Sequence, residues 1–204
     1  SALATHNLSS AGNGYNTAVG YDAGLSVTTG IRNTLIGSLA GDAITSATNN
    51  TTLGYLALSA NTKGNYNVAV GSGSLLSINH TSSTDAFNTA VGTNSGLSMT
   101  TGVRNTLIGG VAGDALTDAD YNVAIGTSAL TADTLGSRTV AIGDSALASQ
   151  NFTSATDSYN VGVGYNAGGN VSTGTNNTFI GGLAGDGTDN GNGNTAVGKG
   201  ALSA

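Results

Sequence analysis

The chain has 204 residues, of which 33 are glycine, one is methionine and none is proline, cysteine or tryptophan. Its 38% apolar content is carried largely by alanine and valine, too small to fill a compact globular core but suited to thin layers in which backbones approach closely. With 8% charged residues, and 11 acidic against 5 basic, it has no electrostatic footprint for nucleic acid or an anionic membrane; it lacks thiol chemistry altogether, and no apolar run approaches the ~20 residues of a membrane span.

Self-similarity organises the rest. A five-residue core reads Asn, then Thr or Val, then a variable residue, then Val, Ile or Leu, then Gly. Eleven copies end at Gly20, Gly37, Gly54, Gly71, Gly92, Gly109, Gly126, Gly143, Gly164, Gly181 and Gly198. Neighbouring copies lie 17 residues apart, with 21 at every fourth step, giving a superrepeat of 72. Thus Gly24–Gly37 returns as Gly96–Gly109, and Ser1–Ala4 matches Ser145–Ala148 two superrepeats on. The chain opens in mid-repeat without an initiator methionine, so one continuous segment over 1–204, part of a longer repetitive fibre, is expected. A 17-residue unit is too short for the helix pairs of α-solenoids and long enough for one coil of a β-solenoid. The predicted fold is therefore all-β, a parallel β-solenoid or β-roll.

Within each core, position 1 is Asn in ten copies, Thr139 being the exception. An Asn ladder at a corner, running through Asn16, Asn33, Asn50, Asn67, Asn88, Asn105 and Asn122, is a structural device, since Asn tolerates turn geometry and stacks its amide from rung to rung. Positions 2 and 4 lie two residues apart and share a face of a strand. Position 2 is always β-branched, and position 4 runs Val19, Ile36, Leu53, Val70, Val91, Ile108, Ile125, Ile142 and onward, so this face is expected to form the interior. Position 3 then looks outward, yet it carries no charge, and its bulky members Leu35, Leu107 and Phe179 recur every 72 residues. These three are the predicted interface of a self-associating chain. After the Gly, the third residue is always Ala or Ser and the fourth cycles Gly, Gly, Leu, Leu.

The 21-residue units must extrude their extra residues as loops, 77–87 and 149–159, with a related segment at 5–15. Asn79, His80, Asp85, Asn151, Phe152 and Asp157 mix apolar, amide and acidic groups, the chemistry of contact with a glycan or protein receptor. The competing reading is that these loops only lengthen a corner and pack Phe87, Tyr159 and Tyr15 on the coil. His6 and His80 occupy unrelated repeat positions and make no ligand set, and no catalytic triad, metal site or cofactor motif is legible. Asp42, Asp114 and Asp186 recur once per superrepeat, too sparsely for a calcium solenoid, and read as turn caps. Arg32 and Arg104 recur too, but Thr175 replaces the third copy.

The phrases Asn16-Thr-Ala-Val-Gly-Tyr-Asp-Ala-Gly24, Asn122-Val-Ala-Ile-Gly-Thr-Ser-Ala-Leu130 and Thr139-Val-Ala-Ile-Gly143 resemble the head repeats of trimeric autotransporter adhesins, and similar repeats are known in phage tail-fibre proteins. The resemblance spans nearly the whole chain and implies a left-handed β-roll, three copies of which associate around a threefold axis. It departs from that family in its longer rung and regular four-residue expansions. The function so implied is a non-enzymatic structural and adhesive fibre at a cell surface or on a virion. The alternative is an ice-binding or other monomeric surface-binding β-solenoid, and ice binding needs a flat exposed Thr face.

Overall fold

A computed structural model describes residues 1–5 and 13–203. Among these the chain is all-β and forms a parallel β-solenoid. Eleven three-residue strands, from Thr17–Val19 to Thr195–Val197, stack in chain order as a single parallel sheet. The register follows the repeat: Thr17 lies beside Thr34 and Thr34 beside Thr51, 17 residues apart. Where the unit lengthens, Val68 pairs with Thr89 and Val140 with Val161, 21 apart, without a break in the sheet. The excess leaves the coil around 81–83 and 153–155, which are exposed. The chain then rejoins through two short parallel pairs, Gly64–Asn65 with Thr84–Asp85 and Gly136–Ser137 with Thr156–Asp157.

Backbone bonds run along the axis. The N–H of Gly37 donates to Val19 O at 2.8 Å, that of Gly54 to Ile36 O at 2.8 Å, and so on up the stack. The core-ending glycine is required by this stacking. Gly54 has φ +146°, and a Cβ there would sit 2.5 Å from the carbonyl oxygen of Gly71 in the next rung.

The core positions face opposite to expectation. Asn50 and Thr52, at positions 1 and 3, are both fully buried, as are Leu35, Leu107 and Phe179. These three are core residues of a single chain and not an interface between chains. Positions 2 and 4 turn outward: Val19 is 58% exposed and Ile108 36%, and Ile36, Leu53, Val70, Val91, Ile125 and Ile142 on the same column are half-buried or exposed. The reason is room. The interior is already filled from the other walls, by Leu58, Leu75, Leu130 and Leu147 and by Val27, Ile44, Ile78, Met99, Leu116 and Val171, so this wall supplies Asn and mostly Ala while its branched side chains turn outward.

Interior volume is kept even from rung to rung by trading sizes across the coil. Leu35 lies against Gly24 and Gly41, Leu107 against Gly96 and Gly113, and Phe179 against Gly168 and Gly185. Where position 3 is smaller, the opposite wall supplies Leu58, Leu75, Leu130 or Leu147, all fully buried. Those leucines hold left-handed φ values of 48–56°, at a cost of about 1 kcal/mol each that packing offsets.

The asparagines are inside the coil and knit it lengthwise. Asn33 N–H donates to Asn16 Oδ1 at 2.8 Å, and Asn33 Nδ2 donates to Ala47 O at 2.9 Å. Asn50, Asn67, Asn105 and Asn122 each repeat the first bond at 2.9–3.0 Å, and Asn88 makes it at 3.3 Å. At the exception, Thr139 still donates its N–H to Asn122 Oδ1. Gln150 then bridges the gap, donating to Thr139 Oγ1 at 2.9 Å and accepting from Asn160 Nδ2 at 2.8 Å.

Gly54→Ala is expected to cost more than about 4 kcal/mol or abolish folding, while Gly110→Ala, where an added Cβ meets nothing within 4 Å, stays near wild type. Asn105→Ala orphans the buried Asn122 N–H and Ala119 O, for a loss of about 2–4 kcal/mol. Chemical denaturation of the three variants checks both.

Candidate interaction surfaces

Two surfaces stand out, the loops of the longer rungs and the outward strand face. In the loops, Asn79, Asp85 and Asp157 are exposed and Asn151 is half-buried, so these four are accessible. His80 and Phe152 are not: they are 5% and 6% exposed and occupy equivalent inward places one superrepeat apart. Phe87 and Tyr159 are each about half exposed, and Phe87 stacks on Tyr66 of the preceding rung. The segment from Thr5 to Tyr15 falls mainly on residues 6–12, His6 included, which lie outside the described residues.

Beneath the loops lie two buried titratable groups. Asp133 accepts the N–H groups of Gly136 and Phe152 at 3.0 Å each and Gln150 Nε2 at 2.6 Å. Burial nevertheless pushes its carboxyl above the ordinary value of 3.8. Burial pushes the His80 imidazole below 6.5, against the opposing pull of Asp118 and Asp120, and His80 Nε2 has no hydrogen-bond partner. Both residues underpin loops. Among the described residues no group of three His or acidic side chains could hold a metal. The recurring Asp42 and Asp114 are rung-to-rung caps, accepting from Ser59 Oγ and Thr131 Oγ1 at 2.6 Å.

The second surface is the outer face of the eleven-stranded sheet. Its centre is the double column of positions 2 and 4, Thr or Val beside Val, Ile or Leu. Two corners bound it. The residue before each core, from Tyr15 and Arg32 through Tyr66, Phe87, Arg104, Tyr121, Arg138 and Tyr159, holds a left-handed φ of 48–59° and points to solvent. The residue after each core-ending glycine forms the other corner, where Tyr21 is 71% and Tyr165 63% exposed. All seven tyrosines and all three arginines of the chain lie on these two corners. Along the first corner the side chains stack. Tyr66 and Phe87 are 4.9 Å apart and nearly parallel, and the Arg104 and Arg138 guanidiniums lie 5.4 and 4.8 Å from the Tyr121 ring centre. Arg138 also pairs with Asp157 of the loop, Nε to Oδ2 at 3.0 Å.

Reading along each rung hid this surface. It emerges as a column only when the residues flanking the core are aligned with the copies stacked.

Because the unfolded chain takes up a proton on His80 near pH 6.5 and the folded chain only at lower pH, the stability this residue contributes is full above 6.5 and lost as pH falls. Asp133 has the opposite sign, its contribution full below 3.8 and lost as pH rises through its folded value. Phe152 shows that the His80 site accepts a phenyl ring, so His80→Phe should fold and lose the decline below 6.5. Denaturation midpoints between about pH 7.5 and 5 check this; an unchanged profile would clear His80 of the effect.

No family model, curated protein or solved structure matches the chain.

Proposed function

We propose that the chain is a structural and adhesive segment of an extracellular fibre, at a cell surface or on a virion, whose copies associate side by side through the outer sheet face. The observation that carries this reading is the composition of that face. It has an apolar centre of branched side chains and a rim holding every Tyr and Arg of the chain, the residue types that protein interfaces favour. Eleven rungs at ~4.8 Å give ~50 Å of length, and five residues from corner to corner add ~16 Å of width, so the face covers roughly 800 Å², the area one partner of a standard interface buries. Three as the copy number follows the likeness to trimeric adhesin heads and phage tail fibres. Attachment to a host or surface, through a glycan or protein receptor, then falls to the exposed loop residues Asn79, Asp85, Asn151 and Asp157. Such a fibre segment needs no catalytic group.

One observation favours a second reading, a monomeric ice-binding solenoid: Thr17, Thr34 and Thr51 face outward in register, as do Thr89 with Thr106 and Thr178 with Thr195, each two residues from an outward Val, Ile or Leu. Valines at 68, 123, 140 and 161 interrupt that column, which favours the fibre.

Native mass measurement together with electron microscopy distinguishes them. The fibre reading expects an oligomeric rod without thermal hysteresis activity; a stable monomer that binds ice would replace it. Ile108→Asp puts a charge on the outer face and is expected to leave the strand content intact while raising the dissociation concentration at least ~100-fold. Leu107→Asp, one residue earlier, should instead prevent folding.

A further inference from the structure

The outer face has two unlike edges, and their chemistry sets how copies meet. Resting on the self-association reading above, we propose that neighbouring copies run parallel and level. The corner before the core of one copy then seats on the corner after the core of the next, and Arg138 of one pairs with Asp144 of its neighbour.

The argument starts from symmetry. Rotation about an axis parallel to the solenoid, of any order, brings unlike edges together at the same height. A twofold axis lying along the strands turns the neighbour upside down and brings like edges together. Like-edge packing would set the stripe that carries all three arginines against itself. Unlike-edge packing sets it against a corner on which no arginine lies.

In most rungs the two corners also trade size. Where the first carries a large side chain the second is small, as in Tyr66 with Ser72 and Arg104 with Gly110. Where the first is smaller the second grows, as in Asn49 with Tyr55. Two rungs, Tyr15 with Tyr21 and Tyr159 with Tyr165, place rings on both, which suits stacking. In one rung alone are both corners charged, and the signs are opposite: Arg138 and Asp144. Within a chain the strand Val140–Ile142 holds them apart. The Asp157 pairing of Arg138 uses its Nε, leaving the Nη donors for a second carboxylate. Asp144 is exposed, and its Oδ1 accepts from Ser145 Oγ at 3.0 Å.

The chain has no cysteine, so an introduced pair reports cleanly. Tyr66→Cys with Ser72→Cys leaves Arg138 and Asp144 in place. The intervening strand Val68–Val70 spans ~10 Å at ~3.3 Å per residue, too far for a disulfide within one chain, which needs Cα atoms within ~7 Å. On oxidation the double variant should give covalent oligomers on a non-reducing gel, and neither single variant should. Disulfide dimers from a single variant would show like edges in contact and overturn the proposal. So would an assembly of unchanged mass that does not cross-link. A wild-type chain of monomeric mass would fail the self-association reading itself. Asp144→Arg is expected to raise the dissociation concentration at least ~5-fold at low salt, the effect fading at high salt; no change would remove the Arg138 pairing.

Discussion

The structure depends on one constraint: each rung must lie at hydrogen-bonding distance on the last, 17 or 21 residues away in sequence, over the whole strand. The core-ending glycine is where this is strictest, because its neighbour's carbonyl occupies the space a Cβ would fill. With the backbones fixed so closely, the side chains of one column lie at a single spacing, and any donor and acceptor that alternate along it will bond. The asparagines exploit this. Most spend their side-chain carbonyl on the N–H of the next asparagine and their amide on a backbone carbonyl 14 residues on, so these polar groups inside a narrow interior bond to one another.

Narrowness has a second consequence. Position 3 and the fourth residue after the core-ending glycine compete for the same space, so a leucine or phenylalanine at position 3 goes with glycine at the other place. Leu35, Leu107 and Phe179 each lie against two glycines, and Leu58, Leu75, Leu130 and Leu147 take over in the intervening rungs. The 72-residue superrepeat is thus a packing period. The longer rungs accommodate their extra residues outside the coil, and the sheet continues beneath them undisturbed. Below the two loops the same inward places are filled differently, by His80 in one and Phe152 in the other, with Asp133 and Gln150 making a polar cluster under the second.

The large side chains that the interior does not take stand on the surface, and where they stand gives the molecule its sidedness. Branched aliphatics fill the outer face of the sheet and tyrosines and arginines its corners, while Ser, Thr and Asn wet the rest. Charge is so sparse that the few ionic groups act locally: Asp157 anchors a loop to Arg138, and Arg104 and Arg138 flank the Tyr121 ring.

The repeat, its 17- and 21-residue steps, the parallel stacking and the loop positions were legible in the sequence, because each follows from the chain returning to the same place at a fixed interval. The Asn column was legible too, for it recurs in every rung but one. The direction in which each column points was not. Alternation at period two assigns positions 1 and 3 to one face and 2 and 4 to the other, and leaves open which face is inside. Judging by bulk put Val19 and Ile108 inside and Leu107 outside, as in a thick core. The tertiary structure reversed them because other columns already fill the interior: Val27, Ile44, Ile78, Met99, Leu116 and Val171 are fully buried, as are the leucines after the core-ending glycine, and beneath the loops His80 and Phe152 occupy inward places as well. That decision belongs to how the columns share one interior, which no single rung contains.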